Sequence, residues 1–247
     1  MIKKSNLEII NRAKNYPYQR PKGSFLLENE RIVELKGRVL DGDLSKFIPV
    51  LAYGSNASPE QLRRKLSPIN EPIAVLSATV KNLDVIFSGQ FSRYGCVPAT
   101  ITKSEGTMLY THVVLLNKKQ LSIIHKTELP EYRYGKLKIP IIIDRLGFRE
   151  SIFAYVFDWG FKKDNKFIAF DEIYAENRNF LTLNHKDFLS ILHNEIMDKA
   201  SNLDGFLISI VENRGKLDQY REYIKSMSQK ITLNNFIQIL PKEINKN

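Results

Sequence analysis

Residues 47–60 read FIPVLAYGSNASPE, an apolar run that leads through a glycine into the start of a helix. Residues 47–53 are rich in strand-forming side chains, which indicates a buried strand. Ser58 then precedes a proline and a glutamate, the order typical of a helix N-terminus. This stretch therefore predicts a strand, a tight turn at Gly54-Ser55-Asn56 and a helix.

The turn Tyr53-Gly54-Ser55-Asn56 has the composition of a site for a small anion. A helix start leaves backbone N–H groups without intrahelical partners, and its dipole favours negative charge. A glycine allows a ligand to approach the backbone, and Ser55 and Asn56 add side-chain donors. P-loop spacing and a dinucleotide fingerprint are both absent. The alternative is an ordinary turn made of good turn formers.

A glutamate interrupts the apolar pattern of a later helix. The helix is expected to begin near Asn117 and to end at Pro130, and Leu121, Ile124 and Glu128 share one of its faces. If that face is buried, Glu128 is a carboxylate on the inner side, suited to general acid/base work. The alternative is an exposed glutamate at a frayed helix end, and Glu131 competes with Glu128 for any role.

The remaining pattern is of strands followed by helices, which indicates an α+β or mixed α/β fold. A short helix is expected over residues 7–13 and a loop over 16–23. Further strands are expected over residues 73–80, 83–87, 98–102, 107–116, 138–143 and 151–158, with a hairpin connection at Leu146-Gly147 between the last two. Helices are expected over residues 184–199, 217–227 and 233–240, and a frayed tail from Pro241.

Composition narrows the functional classes. The chain has 247 residues, a net charge of +10 and a pI near 9.5, which suits a nucleic acid, an anionic surface or an acidic substrate. No run of five basic residues occurs, so a nucleic-acid role is not favoured. The single cysteine, Cys96, forms no intramolecular disulfide and belongs to no zinc-ligand cluster. No apolar run is long enough to span a membrane, and we expect a cytoplasmic protein without a metal.

Together these features resemble the gamma-glutamylcyclotransferase-like family. The resemblance rests on the Tyr-Gly-Ser-Asn turn after an apolar strand, on Leu62-Arg63 in the following helix, on the strand Pro98-Ala99-Thr100-Ile101, and on Glu128. It covers residues 48–160, between an N-terminal extension (1–47) and a C-terminal helical part (161–247) that completes the domain. It implies a small mixed β-barrel with flanking helices, plus helical additions at both ends.

The resemblance also implies an activity. Glu128 would be the general acid/base that cyclises a small gamma-glutamyl substrate to 5-oxoproline with release of an amine or amino acid, without a cofactor. Tyr53, Gly54, Ser55 and Asn56 would bind the substrate. The sequence departs from the family at Ala57, where leucine is common, and at Leu129-Pro130, where a glycine often follows the glutamate. His185 stands where some members have a pocket tyrosine, and we expect it to be exposed at a helix start.

Two other functions remain open at this point. A domain of the same fold could bind a small ligand or a protein partner without turnover. A basic protein of this charge could also bind nucleic acid. A closed pocket that joins Glu128 to the turn would favour the enzyme, whereas an open or filled pocket would favour the binding domain.

Overall fold

A computed structural model describes residues 4–240, apart from residues 30, 37–39, 41–42, 70, 130 and 197–201. Six α-helices and fifteen strands are found in the described part of the chain. The helices are α1 (Lys4–Lys14), α2 (Pro59–Leu66), α3 (Lys118–Glu128), α4 (His185–Ile196), α5 (Leu203–Glu212) and α6 (Arg214–Ser226). The strands are β1 (Phe25–Glu28), β2 (Arg31–Glu34), β3 (Ile48–Ala52), β4 (Ile73–Phe87), β5 (Ala99–Leu116), β6 (Arg133–Leu137), β7 (Ile141–Ile143), β8 (Gly147–Arg149), β9 (Ile152–Val156), β10 (Trp159–Lys163), β11 (Lys166–Phe170), β12 (Ala175–Glu176), β13 (Leu181–Leu183), β14 (Ser228–Lys230) and β15 (Phe236–Gln238).

The long antiparallel pair of β4 and β5 is the centre of the sheet. Four of the predicted strands merge into these two, which pair from Ala74 opposite Leu115 to Phe87 opposite Ala99. A register shift at Asn82, whose φ is 60°, lets β4 continue where a strand end was expected. A bulge of this kind bends a strand without ending its pairing, and asparagine tolerates the left-handed conformation.

The main strand path runs β14-β10-β11-β4-β5-β3-β9-β6-β15. Most pairs are antiparallel, but β3 with β9 and β11 with β13 are parallel, so the mixed α/β class is confirmed. The path stays open among the described strands, because β14 and β15 lie at its two ends without pairing to each other. The predicted barrel is therefore not confirmed.

Strand pairing differs from the predictions in two places. The turn before Gly147 joins β7 to β8, whereas β9 lies between β3 and β6. The predicted hairpin of residues 138–143 with 151–158 is therefore wrong. The helix predicted over 233–240 is also wrong, because β15 forms there and pairs with the free edge of β6. An available strand edge outweighs a weak helical periodicity.

The predicted helices near the ends of the chain are otherwise present. α1 contains the predicted helix at residues 7–13, and residues 16–23 form turns and loop. α4 and α6 fall within or close to their predicted ranges, while α5 and strands β10 to β13 were not foreseen. Residues 197–199 of one predicted helix, Pro130 and the tail from Pro241 lie outside the described residues.

The core lies on both faces of the sheet, and β3 contributes to each. Its alternation places Val50 and Ala52 in the cluster that packs under α2 and α3. Leu51 and the following Tyr53 face the opposite cluster, which also takes in the N-terminal helix and loop through Ile10 and Tyr16. The end of β3 is therefore the point where both core clusters meet. Among the described helices, none has the length and apolar character needed to cross a membrane.

Candidate active site

The predicted strand–turn–helix is present at the end of β3. Ser55–Ala57 form one turn of 3-10 helix, and α2 follows after Ser58. Within the described part of the chain, the N–H groups of Ser55 and Asn56 have no hydrogen-bond partner. Helix starts leave such donors free, and they suit an anion. The Tyr53 hydroxyl instead donates to the carbonyl of Tyr155 at 2.6 Å, so its ring is fixed in the core.

Gly54 is required by a close neighbour from the N-terminal loop. A Cβ built on Gly54 would lie 2.9 Å from the hydroxyl oxygen of Tyr16. That oxygen accepts the N–H of Ala99 at 2.8 Å, so it has little freedom to retreat. Arg20 donates to the Gly54 carbonyl at 3.0 Å. The space beside Gly54 is therefore filled by the Tyr16 side chain and not by a ligand. Tyr16 and Arg20 both come from residues 1–47, so this N-terminal segment helps to build the turn.

Helix α3 delivers Glu128 to the same region. Asn117 and Gln120 form a reciprocal capping box at its start, which fixes the first turn. Leu121 and Ile124 are buried, and Glu128 follows on their face in the last turn. The sequence left open whether this face is buried, and the structure shows that it is, with the Glu128 side chain 14% exposed.

Glu128 is held by an ion pair with Lys65 and a hydrogen bond from Asn56. Its Oε1 atom accepts the Asn56 side-chain N–H at 3.2 Å and forms an ion pair with the Lys65 ammonium. The same ammonium donates to Asn56 Oδ1 at 2.8 Å. The side chains of Lys65 and Glu128 are 9% and 14% exposed, so the pair is largely shielded from water. Lys65 was not singled out from the sequence. The signal available for it was its place in α2, where it shares a helix face with Gln61 at i,i+4 spacing.

One cavity of about 720 Å³ joins the turn to Glu128. Tyr53, Gly54, Ser55 and Asn56 all line it, as do Lys65 and Glu128. Its volume is within the range of roughly 300–1,000 Å³ that is usual for small-molecule sites. The two features that the sequence singled out therefore meet in one pocket.

Buried tyrosines form the inner wall of the cavity. Tyr16, Tyr53, Tyr132 and Tyr155 line it, and each is at most 8% exposed. Burial raises the pKa of all four hydroxyls, and the nearby charge of Glu128 adds to the rise at Tyr53 and Tyr155. These groups stay protonated at neutral pH and act as hydrogen-bond partners rather than as bases.

His185 was expected to be exposed, and this is wrong. Its side chain is fully buried at the start of α4, where Nε2 accepts the N–H of Val97 at 3.1 Å. The ring lies beside those of Tyr16 and Phe170, and burial lowers its pKa to about 3. His185 does not line the cavity, so it supports the site from behind.

Other candidates are less well placed for chemistry. Glu131 reaches the cavity, but its side chain is 43% exposed and lies 3.9 Å from Arg221. Cys96 is buried beside Ser92, and burial raises its thiol pKa to about 11, which suits a structural thiol. In the part of the chain that the structure describes, no group of three acidic, histidine or cysteine side chains is arranged to hold a metal.

Comparison with known proteins gives similarities in structure only. No protein-family model matches the sequence, and no curated protein does. Gamma-glutamyl cyclotransferases are among the solved structures that this chain resembles. One such structure is 16% identical, with 81% of this chain matched to 96% of that chain at a TM-score of 0.37. A yeast enzyme described as specific to glutathione is 11% identical, with 72% matched to 98% at a TM-score of 0.33.

An Arabidopsis thaliana protein solved in solution is also similar, at 15% identity and a TM-score of 0.34. The match spans 45% of this chain and 62% of that chain, under two thirds of its length. All of these scores and identities are low.

Proposed function

We propose that the chain is a gamma-glutamylcyclotransferase-like enzyme that converts a gamma-glutamyl group to 5-oxoproline and releases an amine or amino acid. The observation that carries the proposal is the single cavity shared by Glu128 and the Tyr53–Asn56 turn. A carboxylate and free backbone donors within one small pocket are the two parts that this reaction needs.

Glu128 would transfer both protons. The α-ammonium of the substrate gives a proton to the carboxylate, and the free amine attacks the γ-carbonyl carbon. The new carbon–nitrogen bond closes a five-membered ring, and the bond to the leaving nitrogen breaks as Glu128 returns the proton. The ring nitrogen then gives its second proton to the Glu128 carboxylate, which passes it to the released amine. Oε1 is occupied by Asn56 and Lys65, whereas Oε2 has no partner among the described residues. We assign the proton transfers to Oε2.

The turn would bind and polarise the substrate. The N–H groups of Ser55 and Asn56 suit the α-carboxylate or the oxyanion that develops on the γ-carbonyl oxygen. Asn56 and Lys65 would keep the Glu128 carboxylate in one orientation during the reaction. Folding the substrate so that amine and carbonyl touch adds a proximity gain, on the order of several kcal/mol.

A panel of gamma-glutamyl amines, gamma-glutamyl amino acids and glutathione tests the proposal, with 5-oxoproline as the readout. We expect turnover of at least one compound and a loss of roughly 10²–10⁴-fold in Glu128→Gln. Glu131→Gln is the matched control, and we expect it to stay within a few-fold of the wild type. Equal activity of the wild type and Glu128→Gln would exclude Glu128 as the base.

A second candidate is a domain that binds a gamma-glutamyl compound without turnover. The contacts of Glu128 with Lys65 and Asn56 favour it, because Oε1 is already held by these two side chains and Oε2 alone is left for proton transfer. This alternative predicts saturable binding of the panel compounds to the wild type with no 5-oxoproline. The same panel therefore separates the two candidates.

A further inference from the structure

The cavity carries an excess of positive charge. Five basic and two acidic side chains line it, a net charge of +3. The basic side chains are Arg12, Arg64, Lys65, Arg93 and Lys126, and the acidic ones are Glu128 and Glu131. The two carboxylates lie beside Lys65 and Arg221, respectively. The other four cations make no ion pair with a carboxylate anywhere in the described ranges.

These four cations converge from different parts of the chain. Arg12 comes from α1, Arg64 from α2, Lys126 from α3, and Arg93 from the loop between β4 and β5. The exposed face of a single amphipathic helix carries charges that all come from one element. Here the four charges come from four separate elements and line the same cavity. The cations therefore create a field that is directed at whatever occupies the cavity.

Arg12 is the least exposed of the four. Its guanidinium carbon lies 3.7 Å from the centre of the Tyr94 ring, a cation–π contact. Its Nε atom is shielded from water and has no hydrogen-bond partner among the described residues. A buried guanidinium N–H without a partner is uncommon in native structures. An anionic ligand at this end of the cavity would supply the missing acceptor.

The charge of a gamma-glutamyl group does not match this field. Its α-carboxylate and α-ammonium cancel, so it adds no net negative charge. The cavity also has room for about two dozen water molecules at roughly 30 Å³ each, well beyond the volume of a gamma-glutamyl group. The four cations line the same cavity, which has room for a leaving group that carries negative charge.

We propose that the leaving group is an acidic amino acid, so that the preferred substrate is a gamma-glutamyl dicarboxylic amino acid. This inference rests on the proposed function and specifies its substrate. A leaving amine with its own positive charge would be repelled by the four cations. A neutral amino acid brings one carboxylate, and a dicarboxylic amino acid brings two.

Three compounds that differ in the leaving residue test this inference: gamma-glutamyl-glutamate, gamma-glutamyl-glutamine and gamma-glutamyl-lysine. The first two have nearly the same shape and differ by one charge. We expect kcat/KM of the wild type to be on the order of tenfold or more higher for gamma-glutamyl-glutamate than for gamma-glutamyl-glutamine, and lowest for the lysine compound. The preference should shrink as ionic strength rises.

The double variant Arg93→Gln/Lys126→Gln locates the effect. Both side chains are exposed, so the fold should tolerate the changes. We expect the preference for glutamate over glutamine to fall by roughly tenfold. Arg149→Gln/Lys166→Gln is the control, because it removes the same charge from exposed positions that do not line the cavity. An equal fall in the control would mean that the bulk charge of +10, and not the cavity, causes the preference.

Binding separates failure of this inference from failure of the proposed function. The dissociation constants of the three compounds are measured by calorimetry with wild-type protein and with Glu128→Gln. If no 5-oxoproline forms but gamma-glutamyl-glutamate binds more tightly than gamma-glutamyl-glutamine, the proposed enzyme activity fails and the charge preference stands. Equal affinities, equal kcat/KM values, or no binding of any compound at millimolar concentration would overturn the inference.

Discussion

Replacing Lys65 by methionine keeps most of the side-chain length and removes the charge that faces Glu128. Both side chains are largely buried, at 9% and 14% exposure, so water compensates little for the lost partner. Two unit charges about 4 Å apart interact by about 4 kcal/mol at an effective dielectric constant of about 20. Breaking a buried pair from one side costs roughly 3–5 kcal/mol, because the other charge remains unpaired. We expect Lys65→Met to lower the free energy of unfolding by this amount, or Tm by roughly 6–20 °C.

A second variant separates the charge effect from lost packing. In Lys65→Met/Glu128→Gln neither side chain is charged, so we expect most of the loss to be recovered, with a coupling energy on the order of 2–3 kcal/mol. The control is Lys163→Met, since the pair of Lys163 and Glu195 is more exposed, at 40% and 31%. A pair of this kind contributes at most about 1 kcal/mol.

Urea unfolding of the four proteins and the wild type, at pH 7 and with equal m-values, measures these differences. Glu128→Gln completes the double-mutant cycle. A loss below about 1 kcal/mol in Lys65→Met, or a double variant as unstable as the two single variants added together, would refute the reasoning.

Two further predictions concern the residues behind the site. Between pH 6 and 5 the unfolded chain protonates His185 while the folded imidazole, with a pKa of about 3, stays neutral, so stability falls as the pH falls. His185→Gln keeps an acceptor for the N–H of Val97 but does not titrate. Between pH 6 and 5, urea unfolding should therefore show a loss of stability that is about 1 kcal/mol smaller in this variant than in the wild type. Equal losses in the two proteins would contradict the assignment. Gly54→Ala would bring a Cβ to 2.9 Å from the Tyr16 hydroxyl, and we expect it to cost about 1–3 kcal/mol. Tyr16→Phe removes that oxygen and should reduce the cost of Gly54→Ala in a double-mutant cycle, whereas additive losses would show that the two residues do not collide.

Local residue order determined the central part of the fold. The strand over residues 47–53 and the helix after Ser58 form as predicted, because β-forming side chains and a proline at the first helical position specify them within a few residues. The capping box at Asn117 likewise fixes the start of α3, and Leu121, Ile124 and Glu128 share one face of that helix. These features depend on neighbours at most four positions apart, so the sequence alone carries them.

Features that depend on distant partners were missed. The helix expected over residues 233–240 is a strand because the edge of β6 is available to it. His185 is buried beside Tyr16 and Phe170, and the N–H of Val97, 88 positions away, donates to its ring. Local periodicity contains no information about which edge or which donor will be nearby.

The candidate site also has some features that follow from local sequence and others that depend on distant partners. The sequence by itself indicated the turn at Tyr53–Asn56 and Glu128, since a glycine before a helix start and a carboxylate on an apolar face are local patterns. Only the tertiary structure brought Lys65 onto Glu128 across 63 positions and placed Tyr16 and Arg20 against Gly54. It also gathered four cations from separate elements around one cavity. Spacing along a chain identifies groups that can react, but burial and proximity in the folded state decide the charge that each group meets.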